Sequence, residues 1–401
     1  ITLHNRDSWR VTCPHFGEIP MWMGAARDSR AGLSPVAAPL DRVMLIRAGS
    51  NASLQMPSLG YGTGNLRPQG AGPLIAALAQ GFRLIDTAVY YENEHLIRKA
   101  VSTVGIKRSS LFFVSKAWPW QKIRSAWAKP PKASPITRAE IVQQVRDHLQ
   151  KLGTSYLDLC LLHHPSEALE AQWTALVQLQ RMGLVHAIGL SNVNSSHLDA
   201  LRRQHVHHPP AVVQNGLSPF LPRGPSSTQC TLATTQSGTE PKAWCIQHEH
   251  ERLLSACEAG GTTLMSYSPT AGIHAGKLAD RSAITLSATL ARKYHTSAEA
   301  VILQYGLQRG FAVVTSSTNA SHLRNNIADL AMLRSLEQQD LSMLTNWYAQ
   351  ASVKPHSAAG SPSTIDGVPN PKGLPHCGVQ QPPPHILDSD CTTAELAGCT
   401  A

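Results

Sequence analysis

Short apolar runs that stop abruptly at polar residues, separated by stretches with helical spacing, dominate the middle of this 401-residue chain. Runs of strand length lie near residues 58–61, 84–86, 112–116, 157–162, 187–190, 212–214, 262–267 and 312–314. Between them, Ile141, Val142, Val145, Leu149 and Leu152 recur at a helical period. Trp173, Leu176, Val177 and Leu179 do the same and lead to Met182-Gly183, where the glycine suits a helix C-cap. Strand–helix alternation repeated eight times predicts an α/β protein. A (β/α)8 TIM barrel is favoured over an open doubly wound sheet, but periodicity alone leaves the two about equal. Ahead of the first repeat, Val43-Met44-Leu45-Ile46, Ala48-Gly49-Ser50-Asn51 and Leu54 predict a short β-hairpin.

The same pattern sets the boundaries. Residues 1–42 carry no sustained periodicity and are expected to be a disordered N-terminal extension, with the barrel occupying 43–350. Residues 221–244, rich in Ser, Thr, Gly and Pro, follow the sixth strand and read as a loop insertion or lid. Residues 351–401 form a Pro/Ser/Gly-rich tail with too little apolar content to offset its ordering entropy, so disorder is expected there.

The residues at the strand ends carry the candidate chemistry. They are Asp86-Thr87-Ala88-Val89-Tyr90-Tyr91-Glu92-Asn93-Glu94, Val114-Ser115-Lys116, the run from Leu157 to His163-His164-Pro165, and Gly189-Leu190-Ser191-Asn192. Alternating β and α segments bring such ends to one face of a barrel. A tyrosine has an ordinary pKa of about 10. A lysine ammonium within roughly 4–6 Å favours its phenolate, and a carboxylate keeps that lysine charged. Asp86, Lys116 and Tyr91 form such a relay if the second and third strands are neighbours. Each residue alone has an ordinary reading: Asp86 an N-cap, Tyr91 a packing residue, His163 a structural histidine, Lys116 a solvated charge. Their order at successive strand ends favours a site.

These motifs, chiefly Asp86-Thr87-Ala88-x-x-Tyr91-x-Asn93-Glu94, resemble those of the aldo-keto reductases over approximately residues 43–347. The resemblance implies a closed barrel plugged at its bottom by the hairpin. It implies NAD(P)H-dependent reduction of an aldehyde or ketone by direct hydride transfer, with no metal. Tyr91 would be the general acid, Lys116 its tuner, Asp86 the partner of Lys116, and His163 the group orienting the carbonyl. Alternatives on the same barrel are oxidation of alcohols and a non-catalytic, cofactor-binding regulatory subunit.

By the same resemblance Ser191, Asn192 and Gln214 meet the nicotinamide carboxamide, and Tyr267 stacks on the ring. Ser268 opens a pyrophosphate-covering loop, and Gly62 and Thr63 lie beside the nicotinamide ribose. Ser316, Ser317, Thr318, His322, Arg324 and Asn326 fall where the family holds the far end of the dinucleotide. Members preferring the 2′-phosphorylated cofactor usually carry a Lys and an Arg there; Ser316 and His322 occupy those positions here. NADPH is therefore the default expectation, with NADH or dual use open, and Asn319-Ala320 or Thr318 is expected to cap the next helix. Gly64 and His164 replace two tryptophans common in the family's substrate pocket, which predicts a wider, more polar pocket. Trp118 and Trp120 are candidate walls, with His163 and His164 also facing substrate.

Composition adds limits. About 42% of the chain is apolar, and none of the apolar runs approaches the ~20 residues of a membrane span. The polar start carries no evident signal peptide, and the absence of an initiator Met leaves an upstream segment open. Eight cysteines show no CxxC pair, which fits a reduced, cytoplasmic setting, with Cys160 a buried hydrophobe. The net charge of +9 comes from scattered Lys and Arg, with no nucleic-acid module, so a nucleic-acid partner is not expected. A monomer acting on a small carbonyl compound is the expectation from resemblance.

Overall fold

The computed structural model describes residues 10–13, 17–20, 38–48, 52–121, 134–205, 207–220, 222–223, 243–274 and 280–351. Strands β1 (Arg10–Cys13) and β2 (Gly17–Pro20) pair antiparallel, where the sequence reading expected little order. Strands β3 (Val43–Ala48) and β4 (Ala52–Pro57) form the expected hairpin, paired from Val43↔Pro57 to Ala48↔Ala52.

Eight parallel strands then close on themselves. They are β5 (Leu59–Gly62), β6 (Leu84–Asp86), β7 (Phe112–Ala117), β8 (Leu157–Leu162), β9 (Val185–Ser191), β10 (Val212–Leu217), β12 (Thr263–Tyr267) and β13 (Ala312–Thr315). Pairing of β9 with β10 and of β13 with β5 completes the ring, so the closed form is the correct one of the two that periodicity allowed. β11 (Pro222–Arg223), within the predicted insertion, pairs antiparallel with the end of β10. Residues 224–242, like the tail 352–401, lie outside the described residues.

The helices are α1 (Gly72–Ala79), α2 (Glu94–Val104), α3 (Arg138–Leu152), α4 (Leu169–Arg181), α5 (Ser195–Gln204), α6 (Ala243–Ala259), α7 (Arg281–Lys293), α8 (Ala298–Gln308), α9 (Ala320–Met332) and α10 (Gln338–Ala351). Their boundaries have local causes. α3 starts at a capping box, in which Thr137 accepts from the Glu140 amide and the Glu140 side chain accepts from the Thr137 amide. α4 stops where Gly183 takes φ +72° and its amide, with that of Leu184, returns to the carbonyls of Gln180 and Leu179.

Alternation along the strands sorts the core into two shells. Phe113, Cys160, Leu162, Ile188 and Val213 point outward against the helices. Leu84, Phe112, Val114, Leu159, Leu161, Val212, Met265 and Val314 fill the lumen. Ile46 and Met56 of the hairpin join that inner cluster, so β3–β4 seals the end where the strands begin. The apolar packing leaves only the opposite end, at the C-terminal tips, for polar chemistry. Cys160 is buried, and burial pushes its thiol up to about 12.

Candidate active site

The next inward positions above the apolar layers are Asp86 on β6, Lys116 on β7 and Gln214 on β10. Lys116 Nζ donates to Asp86 Oδ1 at 2.6 Å and to the Thr87 carbonyl at 2.9 Å. Gln214 Nε2 donates to the other carboxylate oxygen, Asp86 Oδ2, at 2.6 Å. Asp86 and Lys116 are 4% and 2% exposed, so neither charge is shared with bulk water. Burial alone would lower the Lys116 pKa, but Asp86 and Tyr91 outweigh it and hold the ammonium above its ordinary value.

Tyr91 reaches this pair from a short 3₁₀ turn, Val89–Tyr91, that leaves β6. Lys116 Nζ sits 5.3 Å from its ring centroid. Asn93 fixes the turn by donating to the Thr63 carbonyl at 2.7 Å, with the Thr87 hydroxyl donating to Asn93 Oδ1 at 3.2 Å. The expected lowering of the tyrosine pKa by lysine is present but is not the net result. Burial of the hydroxyl raises the Tyr91 pKa by more than Lys116 lowers it, and Asp86 adds to the rise. The resting site therefore holds Tyr91 as a neutral phenol.

His163 follows β8, its amide donating to the Ala117 carbonyl at 2.9 Å. Its ring meets Tyr91 edge-on, with centroids 5.8 Å apart. Burial, then Lys116 and His164, holds its pKa well below 6.5, so the imidazole is neutral. Its buried Nδ1 has no hydrogen-bond partner among the described residues, and neither does Gln214 Oε1. Buried polar atoms left without a partner are uncommon, and these two belong to the residue that follows β8 and to one on β10. Ser191, Asn192 and Tyr267 complete that side. Asn192, at φ +57°, donates to the His163 carbonyl at 2.9 Å and accepts from the Tyr267 hydroxyl at 2.7 Å. Ser268 follows with φ +49° and begins a turn through residue 274.

The remaining predicted residues divide. Thr63 is fully buried, and its hydroxyl and amide both donate to the Asp86 carbonyl at 2.9 Å, so it ties β5 to β6. Gly62 lines a cavity of about 250 Å³ with Tyr61, Asn65, Ser316, Ser317 and Thr318. Ser316, Thr318, His322 and Arg324 are exposed. Asn319 is the cap of α9, accepting from the amides of Ser321 and His322.

Trp118 and Trp120, the candidate walls, sit in an aromatic group beside His163. Trp118 stacks on Tyr90 with centroids 4.3 Å apart and meets His163 and His164 edge-on at 5.4 and 5.6 Å. Trp120 packs beside it at 5.3 Å. Gln144 of α3 accepts from the Trp118 amide at 2.7 Å, and Gln172 of α4 donates to the Pro119 carbonyl at 2.7 Å. Gly64 packs against Tyr91, where a Cβ would fall 3.6 Å from the Tyr91 ring. Tyr90, Gln144 and Gln172 had no signal in the sequence, because each acts through a partner far along the chain.

The aldo/keto reductase family model matches residues 59–349. The chain belongs to that family. It is an NAD(P)H-dependent oxidoreductase of the aldo-keto reductase type. Similar proteins include the methylglyoxal reductase DkgB of Yersinia pestis, 26% identical over 301 residues that cover 72% of this chain and 95% of that one. An aldo-keto reductase of Mycobacterium marinum is 29% identical over 276 residues, covering 68% and 81%. Among solved structures, the fold is shared with a Bombyx mori aldo-keto reductase in complex with NADP. That likeness has a TM-score of 0.60 and 22% identity, covering 78% of this chain and 93% of that one. Among the described residues no helix is long and apolar enough to cross a membrane, and no group of His, Cys, Asp or Glu could hold a metal ion.

Proposed function

We propose that this aldo-keto reductase converts an aldehyde or ketone to the alcohol with Tyr91 as the general acid. The observation that carries the reading is the buried Lys116–Asp86 pair set against the Tyr91 ring, since Lys116 stabilises the phenolate left when Tyr91 gives up its proton. Bound nicotinamide supplies hydride to the carbonyl carbon. Tyr91 protonates the oxygen as charge develops on it. His163, held neutral beside the Tyr91 ring, orients the carbonyl and hydrogen-bonds its oxygen. Asp86 and Gln214 keep Lys116 in place, and Trp118 with Tyr90 walls the pocket on one side.

Gln214 Oε1, Asn192 and Ser191 suit the donors and acceptors of a carboxamide, and the Tyr267 ring suits its flat face. The cavity beside Gly62 offers the hydroxyls of Ser316, Ser317 and Thr318 and no cationic side chain, which supports NADH as well as the family's default NADPH. Titrating the purified chain with each cofactor by tryptophan fluorescence, then adding methylglyoxal and following nicotinamide absorbance, tests both parts. Micromolar binding followed by oxidation of the cofactor is expected. Binding without turnover of any carbonyl would mean a cofactor-binding subunit instead.

A further inference from the structure

On the outer side of β7, directly behind the reactive corner, three buried polar side chains from three elements form one line of hydrogen bonds. Ser115 precedes Lys116 and points away from the lumen, placing its Oγ 2.7 Å from His148 Nε2 on α3. His148 Nδ1 in turn lies 2.8 Å from Glu94 Oε1, at the first residue of α2. The three are 1%, 1% and 6% exposed. A carboxylate can only accept, so His148 Nδ1 donates to Glu94, and its Nε2 shares the second hydrogen bond with the Ser115 hydroxyl. Serine, histidine and acid in series suggest a nucleophile, but their burial leaves no surface for a substrate.

The location gives the line another use. α2 begins at Glu94, just after the Tyr91 turn, and Ser115 is the covalent neighbour of Lys116. The acid and the cation beside it thus stand three residues and one residue from the two ends of the same line. Apolar contacts between α2, α3 and β7 would let these elements slide, whereas hydrogen bonds fix distance and angle. A carboxylate is also costly to bury without directed partners, so it is held here by geometry and not by solvent. We propose that Glu94–His148–Ser115 is a positioning relay that sets the placement of Tyr91 against Lys116, with His148 joining α2 to β7. The relay rests on the reductase reading above for its effect on rate.

The test uses the full chain carrying Ser115→Ala, His148→Leu or Glu94→Gln, saturated with NADPH and supplied with methylglyoxal. Ser115→Ala cuts the line with the least change in volume and keeps the test valid if the other two fold poorly. Because misplacement by about 1 Å can cost ~10²-fold, a roughly tenfold fall in kcat is expected from each single variant. Cofactor Kd should stay within about twofold, and Ser115→Ala combined with His148→Leu should cost no more than the worse single change. A second readout does not need turnover. In protein labelled with ¹³C at tyrosine Cζ, the Tyr91 resonance is the one lost in Tyr91→Phe. It should shift in each relay variant but not in Ser287→Ala, a buried serine on α7. An unmoved Tyr91 resonance overturns the relay, whether kcat is unchanged or falls, because any loss then arises elsewhere. If the wild-type chain reduces no carbonyl, the reductase reading fails and the resonance alone decides for or against the relay.

Discussion

Two corners of the same barrel mouth are built in opposite ways. At the β6–β7 corner Asp86, Lys116, Thr63 and Asn93 are buried, and each is tied to another strand or turn by at least one hydrogen bond. At the β13–α9 corner Ser316, Thr318, His322 and Arg324 stand exposed, and the α9 start is satisfied by its own Asn319 cap. The first corner cannot be changed without leaving a buried charge or an orphaned polar group. The second can accept substitution at little cost to the fold. On the reading above, the proton-transfer geometry is locked by the architecture, while the grip on the far end of the cofactor is open to change. That difference gives a physical reason why Ser316 and His322 can stand at the exposed corner while Asp86 and Lys116 are held as a buried pair.

The sharpest way to break the comparison is at Lys116. Lys116→Met keeps most of the volume but leaves Asp86 buried without its cation. Removing one partner of a buried pair costs ~3–5 kcal/mol, so a matching loss in urea midpoint is expected. The folded fraction should also lose at least about 10²-fold in kcat, since its proton donor loses the charge that supports the phenolate. A protein equally stable and active would mean the corner is not locked.

The exposed corner should respond in affinity alone. Ser316→Lys and His322→Arg each place a cation where the 2′-phosphate is expected, and an exposed charged contact is worth about 1 kcal/mol at most. Roughly fivefold tighter NADPH binding per substitution is expected by fluorescence titration, with NADH affinity and melting temperature unchanged. Loss of stability would show that this corner is as constrained as the other.

Thr63→Val probes the tie between β5 and β6 with a near-isosteric change. It removes one buried hydrogen bond to the Asp86 carbonyl, for which a loss of about 1 kcal/mol is expected by denaturant unfolding. A Thr63 that instead controls cofactor Kd would return it to the role the resemblance implies.

The smallest expected effect is on pH dependence. His163 is already neutral above a pKa held well below 6.5, so its protonation should leave no break in kcat/KM near that value. Tyr91 is raised above 10.0, so it is protonated below that pH and the acid is lost only as pH rises through the raised value. The rate of reduction should accordingly stay level through neutral pH and fall only on the alkaline side. A limb centred near 6.5, and absent in His163→Asn, would contradict the neutral imidazole.

Much of this was legible in the sequence for a simple reason. Barrel strands are short apolar runs, and their polar tips share one face, so Asp86, Tyr91, Lys116 and His163 could be brought together without coordinates. The hairpin was legible from strand-like runs on either side of Gly49-Ser50-Asn51. What stayed hidden depends on tertiary partners. Gln144 and Gln172 hold the Trp118–Pro119 backbone from two different helices, so the aromatic wall with Tyr90 could not be read from spacing. Glu94, His148 and Ser115 are likewise separated along the chain and meet only through α3. The sign of the Tyr91 shift was missed because it balances burial against Lys116, and burial depth is a property of the folded mouth.

The central claim is that Tyr91 delivers the proton. Its most direct test is to compare Tyr91→Phe with the wild-type chain under saturating cofactor and methylglyoxal, measuring cofactor Kd on the same samples. General acid catalysis contributes typically ~10²–10⁴-fold, so kcat should fall by at least that much while Kd is unchanged. A variant that binds cofactor and reduces the aldehyde at the wild-type rate would contradict the account.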